Sequence, residues 1–260
     1  MDAYLRRIGA DRPIRADLAA LRDLQVRHLR SVPFENLSVH FGETVVLAEK
    51  ELLAKVVDGG RGGFCYELNG AFAALLRELG FTVDLLQARV YDDGRLGIPY
   101  DHLALLVESV DESGRPGRWL VDVGFGDHAH HPLAFDERGD QSDPAGTFQL
   151  VPADHGDLDL YRDGKPQFRL ETRPHALEDF RAGAWWHSTS PESHFTRSLV
   201  CSRLTVDGRI TLSGRKLVIT EHGERHERRL ADDTAVLAAY RDHFGLRFDR
   251  LPPDPRRADG

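Results

Sequence analysis

The chain has 260 residues, 41% of them hydrophobic, enough to bury a substantial core in one large domain or two to three small ones. Its formal net charge of -8 argues against a nucleic-acid binder, while local Arg clusters can still hold an anionic ligand against the global sign. Two cysteines make no disulfide framework, the charged stretch Met1–Ile14 carries no apolar signal-like core, and no run approaches the length of a membrane span, so a soluble protein of the reducing cytoplasm is expected.

Taken in chain order, Leu18, Leu21, Val26 and Leu29 predict an amphipathic helix over Arg15–Arg30 that ends before Pro33. Helices are also predicted over Leu47–Val57 and over Tyr66–Leu79. In the latter, Tyr66, Leu68, Phe72, Leu75, Leu76 and Leu79 recur at helical spacing until Gly80 stops the pattern. The character changes near Phe81. Strands are predicted over Val83–Tyr91, His102–Val107 and Trp119–Val123, separated by Gly, Asp and Pro clusters. Thr147–Val151, Leu158–Tyr161 and Gln167–Leu170 continue the pattern, with Asp163-Gly164 as a hairpin turn. A short helix over Leu177–Trp186 precedes a meander, Leu199–Thr205, Arg209–Leu212 and Lys216–Thr220, turning at Asp207-Gly208 and Ser213-Gly214. A last helix runs over Asp233–Phe244, and the tail from Pro252 is expected to fray. Helices, then strands, then a mixed end read as α+β.

Three residues stand out chemically. Cys65 follows Gly62-Gly63 and opens the third helix, where unpaired N–H groups and the helix dipole favour negative charge. His102 enters an apolar strand. Asp122 is a single carboxylate among Leu120, Val121 and Val123, and an unpaired buried charge there would be costly. Each has a plainer reading: a small core thiol, a strand-end imidazole, a satisfied structural acid. Together they supply a nucleophile, a base and an orienting acid, the logic of a nucleophilic triad carried onto sulfur. Cys201, inside Ser198–Leu204, reads as a strand core residue. His128, His130 and His131 lack further ligands at metal spacing, so no metal is expected. Gly124-Phe125-Gly126 lacks the third glycine of a dinucleotide fingerprint, and His222–Arg229 reads as a solvated charge run.

With these residues in view, the sequence resembles the arylamine N-acetyltransferases. The resemblance rests on Arg61–Asn69 around the thiol, Asp101-His102, Val121–Gly126, and Val32–Leu37 upstream, and it runs in order from about residue 4 to beyond residue 200. It implies an N-terminal helical bundle (1–82) carrying the cysteine, a central β-barrel (83–190) carrying the histidine and aspartate, and a C-terminal α/β lid (191–260). It also implies catalysis by Cys65, His102 and Asp122, with acetyl-CoA as acyl donor, an arylamine or arylhydrazine as acceptor, and no metal, nucleic acid or membrane as partner. The oligomeric state and the residues that hold the CoA phosphates stay open.

The implied chemistry is ping-pong. Cys65 takes the acetyl group as a thioester, His102 moves the proton, Asp122 holds the imidazole, and an amine discharges the acetyl-enzyme. For any thiol, a pKa lowered by about 3 units raises the thiolate fraction at neutral pH roughly 30-fold, while lost nucleophilicity takes back roughly 20-fold, so the pair matters chiefly for proton delivery and geometry. The backbone N–H groups of Cys65 and Leu103 are the oxyanion candidates. Phe125, flanked by glycines, is the leading candidate to line the amine pocket, with Phe34 and Phe195 behind it; ordinary core packing is the alternative for all three. Two other functions remain open at this level. An amide synthase on the same scaffold would close a macrolactam from a polyketide-type acyl chain, and a thiol hydrolase of protease or transglutaminase type would pass the acyl group to water.

Overall fold

Helices fill the first third of the chain, as the periodicity predicts. The computed structural model describes residues 1–255. It opens with α1 (Asp2–Ile8), which the pattern did not announce, followed by α2 (Leu18–Ser31). Asp17 caps α2 by accepting from Ala20 N at 2.9 Å, so the helix starts at Leu18 and not at Arg15. A two-residue strand β1 (Phe34–Glu35) and α3 (Leu37–Phe41) follow. The helix predicted over 47–57 is α4 (Glu49–Leu53) continued by a π turn, Ala54–Asp58. Next comes α5 (Cys65–Glu78), whose residues from Cys65 to Leu76 are all buried. Its start is fixed by Glu67, which accepts from Phe64 N at 3.2 Å and pairs with Lys55 Nζ at 2.6 Å. Gly63 is required there: a Cβ would sit 2.6 Å from Glu67 Oε2.

The central strands are β2 (Thr82–Asp92), β3 (Arg95–Leu96), β4 (His102–Val110), β5 (Pro116–Val121), β6 (Leu133–Ala134), β7 (Gln141–Asp143), β8 (Gly146–Pro152), β9 (Leu158–Arg162) and β10 (Lys165–His175). They form one antiparallel sheet in the order β6-β5-β4-β2-β10-β9-β8-β7, with β3 hooked onto β2, and it curls into a nearly closed barrel. Gln141 bridges the two terminal strands with its amide, donating to Ala134 O at 3.0 Å and accepting from Ala134 N at 2.7 Å. That side chain satisfies edge groups that would otherwise be left open. Leu86, Ala104, Leu106, Phe148, Leu160 and Phe168 pack inside the barrel. Leu103, Leu105 and Val107 face the other way, onto the core they share with α5. β4 is therefore buried on both faces, which explains its unbroken apolar run.

The predicted helix over 177–186 is a 3₁₀ turn (Leu177–Phe180) running into α6 (Arg181–Thr189), and α7 (His194–Arg197) follows. The predicted meander is β11 (Cys201–Leu204), β12 (Gly208–Ser213) and β13 (Lys216–Glu221). Two strands of this sheet were not foreseen, nor were the short β3, β6 and β7 of the barrel. β1 pairs with β11, so the N-terminal segment contributes to this C-terminal sheet, and the charge run is β14 (Glu224–Arg229), an edge strand exposed throughout. Its charges protect that edge from further pairing. Finally α8 (Asp233–Phe244) lays Val236, Ala239, Tyr240 and Phe244 on the sheet. The expected fraying from Pro252 does not hold at its start, because Leu251 packs on this core and Pro252 is buried. Residues 256–260 of that tail lie outside the described residues. Among the described residues, no helix is long and apolar enough to cross a membrane.

Candidate active site

Cys65 is the first residue of α5, so its N–H has no acceptor within the helix, which leaves it a candidate donor to an oxyanion. His102 is the first residue of β4, the strand packed on α5. Asp122 falls one residue beyond the end of β5, and not inside a strand as predicted. These three chain ends converge. His102 Nε2 donates to Asp122 Oδ2 at 2.6 Å, both side chains being buried. With Nε2 committed to the carboxylate, Nδ1 is the nitrogen left for the thiol.

Asp122 survives burial as an anion because its lone pairs are filled. Oδ1 accepts from Asn69 Nδ2 at 2.9 Å and from Gly124 N at 2.8 Å. Burial pushes the carboxyl up, yet the imidazolium of His102, assisted by Asn69, holds it well below its ordinary range. Burial likewise pushes His102 down, and Asp122 outweighs it. A hydrogen bond with the Cys65 side chain adds to the rise, so the imidazole stays charged well above its ordinary range. The resting site is built to hold charge of both signs with little water.

Asn69 is the positioning residue that the motif contained but whose role the sequence did not reveal. It lies one turn after Cys65, on the same face of α5. Besides Asp122, its amide donates to Leu103 O at 2.6 Å and accepts from Val123 N at 2.9 Å, tying the nucleophile helix to the strand and loop that carry the other two groups. Gly124 makes this approach feasible, since a Cβ there would stand 2.7 Å from Cys65 Cα and 2.8 Å from Asn69 Nδ2. Gly124→Ala is therefore expected to force the loop away, costing about 1–3 kcal/mol of stability and most of the activity. A denaturant titration run beside an acetylation assay measures both.

A cavity of about 680 Å³ opens over the thiol, lined by Phe34, Cys65, His102, Phe125, His187 and Phe195 among others. Phe125 stands edge-on to His102, with ring centroids 5.1 Å apart, and rests on Phe168 and His128. Phe195 meets Phe34 and Phe64 at 5.8 Å. All three aromatic candidates thus reach the cavity. The three clustered histidines do not share one site: His130 and His131 both donate their backbone N–H to Asp143. His128 is buried between Phe125, Phe148 and Phe168, where burial lowers its pKa to about 4, whereas His131 pairs with Asp143. Among the described residues, no group of three His, Cys, Asp or Glu side chains is arranged to hold a metal. Cys201 is buried in β11, where burial, with Glu35 adding, pushes its thiol well up.

A helical bundle and an antiparallel barrel that meet at a thiol, an imidazole and a carboxylate define a thiol-dependent enzyme class. A family model described as N-acetyltransferase matches residues 17–251. The chain is 36% identical over 253 residues to an arylamine N-acetyltransferase of Mycolicibacterium smegmatis, covering 95% of this chain and 91% of that one, and 31% identical over 258 residues to the Escherichia coli K12 enzyme of the same name, covering 96% and 89%. The solved structure of Mycobacterium marinum arylamine N-acetyltransferase in complex with CoA matches with a TM-score of 0.84 at 32% identity, covering 94% of this chain and 92% of that one. The chain belongs to the arylamine N-acetyltransferase family.

Proposed function

We propose that this protein transfers the acetyl group of acetyl-CoA to an arylamine through a thioester on Cys65. The observation that carries this reading is the buried His102–Asp122 pair, 2.6 Å apart, set against a thiol that opens a helix and lines a cavity of about 680 Å³. The resident groups fit the donor: the thiol side is apolar and aromatic, and the cavity has room for an acetyl thioester and then for an aromatic ring.

In the first half-reaction the Cys65 sulfur attacks the thioester carbonyl and the carbon–sulfur bond to CoA breaks. The proton taken up by His102 passes to the departing CoA sulfur. Exchange of one thioester for another is nearly neutral in energy, so the acetyl-enzyme can accumulate. In the second half-reaction the amine nitrogen attacks the same carbonyl, His102 removes the proton from nitrogen, and the carbon–sulfur bond to Cys65 breaks to release the amide. Asp122 keeps the imidazole in the tautomer that leaves Nδ1 toward the thiol. Both cysteines are free thiols, which supports a reducing compartment such as the cytoplasm.

Intact-mass measurement after mixing with acetyl-CoA tests the reading. A gain of one acetyl group, discharged by an arylamine but slowly by water, is the expected result; a protein that never gains the group contradicts it. Phe125 is assigned to acceptor selection, because its ring stands edge-on to His102 at the cavity wall. Phe125→Ala is expected to cost aromatic acceptors about 0.5–1.5 kcal/mol of ring contact, roughly 2- to 13-fold in discharge rate, while acetylation of Cys65 stays close to normal. Rapid-quench measurement of the two half-reactions separates these effects. Slowed acetylation with unchanged amine preference would move Phe125 to the CoA side.

A further inference from the structure

A second carboxylate, imidazole and hydroxyl meet at the same cavity. His187 Nε2 donates to Asp101 Oδ1 at 2.9 Å, and His187 Nδ1 lies 3.2 Å from Ser193 Oγ. By residue type this could be another nucleophilic triad, and the geometry rules that out. Ser193 is only 1% exposed, and its Oγ already accepts from Phe195 N at 3.1 Å. A carboxylate can only accept, so the His187 Nε2 proton points at Asp101, and Nδ1 takes the hydroxyl proton of Ser193. Neither ring nitrogen is left for a substrate. The bonds run in one direction, from Phe195 N–H through Ser193 and His187 to Asp101, whose Oδ2 also accepts from Val90 N at 3.0 Å. A fully satisfied buried chain of this kind makes a rigid strut.

The strut joins the two sides of the cavity. Asp101 immediately precedes His102, and the hydroxyl of Tyr66, the neighbour of Cys65, donates to Tyr100 O at 2.6 Å and lies 3.0 Å from Asp101 O. His187 belongs to α6, and its ring packs on Phe195 with centroids 5.2 Å apart. Gly183 seats α6 here, since a Cβ would stand 2.4 Å from Tyr100 O and 2.7 Å from Tyr66 Oη. At the far end of the segment, Asn36 donates to Phe195 O at 2.9 Å and Ser198 O at 2.7 Å. The wall bearing Trp186, His187 and Phe195 therefore hangs between Asn36 and Asp101. The His102–Asp122 pair is held separately, by Asn69 and Gly124.

We propose that Asp101, His187 and Ser193 are positioning residues that fix the distance between the Phe195 wall and the strand bearing His102, and thereby select which amines discharge the acetyl group. This rests on the acetyl-transfer reading above. A wall of fixed position rejects rings that carry bulk beside the amino group; a loosened wall admits them, and admits water as well.

The test compares wild type with His187→Leu, His187→Gln and Ser193→Ala, measuring Cys65 acetylation and its discharge to ortho- and para-substituted anilines separately. His187→Leu is expected to shrink the para-over-ortho preference roughly tenfold, to raise the amine KM more than it lowers kcat, and to speed loss of acetyl to water. Acetylation by acetyl-CoA should fall less than about threefold over the same comparison. Gln keeps a donor for Asp101 and an acceptor for Ser193, so His187→Gln should recover most of the preference. Ser193→Ala removes the two bonds at that end of the strut, from Phe195 N and to His187 Nδ1, but leaves His187 on Asp101; it should shift the preference the same way by roughly threefold, which carries the test if the Leu variant does not fold. An acetylated enzyme whose variants keep the wild-type preference, or lose both half-reactions equally, overturns the proposal. A Gln variant no better than Leu also overturns it, by showing that ring packing alone holds the wall. A wild type that acetyl-CoA never acetylates refutes the acetyl-transfer reading itself.

Discussion

Cys65→Ala is expected to abolish both acetyl-enzyme formation and turnover, leaving no acetyl group on the protein after exposure to acetyl-CoA. Cys65 is the thiol at the cavity, on the first residue of α5, with the His102–Asp122 pair beside it. The matched control is Cys201→Ala. Cys201 is wholly buried between β1 and β12, away from any opening, and burial keeps its thiol protonated. Its loss should cost no more than the small cavity left in a core, about 1 kcal/mol, with acetylation unchanged. Mass spectrometry of the two variants decides the matter: an acetylated Cys65→Ala protein would sink the mechanism.

The second large effect belongs to Asp122→Asn. The Asn oxygen can still accept from Asn69 and Gly124, but its NH₂ then faces His102 Nε2–H, donor against donor. The imidazole must rotate or move its proton to Nδ1, and either change takes the base away from Cys65. The rate is expected to fall by orders of magnitude, by analogy with about 10⁴-fold for the corresponding change in a serine triad. The mismatch should also cost about 1–3 kcal/mol of stability. This cost depends on pH. Asp122 is held below the ordinary carboxylate range, so its share of the stability is complete above that range and is lost as pH falls through the lowered value. His102 is held above the ordinary imidazole range, so its share is complete below that range and is lost as pH rises through the raised value. The stability gap between wild type and variant should therefore be widest between about pH 4 and 6.5 and close toward both extremes. Urea titrations across pH, paired with single-turnover acetylation, measure both effects. A folded, fully active Asn variant would make Asp122 a structural acid only.

Much of this site could be read from the chain because its parts obey local rules. A glycine pair before an apolar helical period locates a thiol at a helix start, and a lone carboxylate in an apolar stretch demands a partner wherever the strand goes. Phe125, between Gly124 and Gly126, stood out in the same way. Other features were not readable, for identifiable reasons. β1 is two residues long and exists only because Phe34 and Glu35 find β11 more than a hundred and fifty positions later. β14 carries no apolar face at all, so periodicity had nothing to register, and its pairing with β13 alone makes it a strand. Asp122 falls just past β5 because the chain must turn there to let Gly124 touch α5.

What the sequence by itself determined, then, is the inventory and the order: helices before strands, one thiol at a helix start and one inside a strand, with an imidazole and a lone carboxylate following the first in turn. These depend on period, on breakers and on the cost of burying charge, all of which act over a few residues. The tertiary structure alone decided which groups meet. Asn69 lies one turn from Cys65, which places it on the same helix face, but only the packing of α5 against β4 aims it at Asp122, and only Gly124 lets the loop come close enough. His187 and Asp101 are 86 positions apart, at 2.9 Å, and nothing local to either marks the other. Hydrogen bonds between distant segments are chosen by which surfaces pack together, and that choice is a property of the whole core.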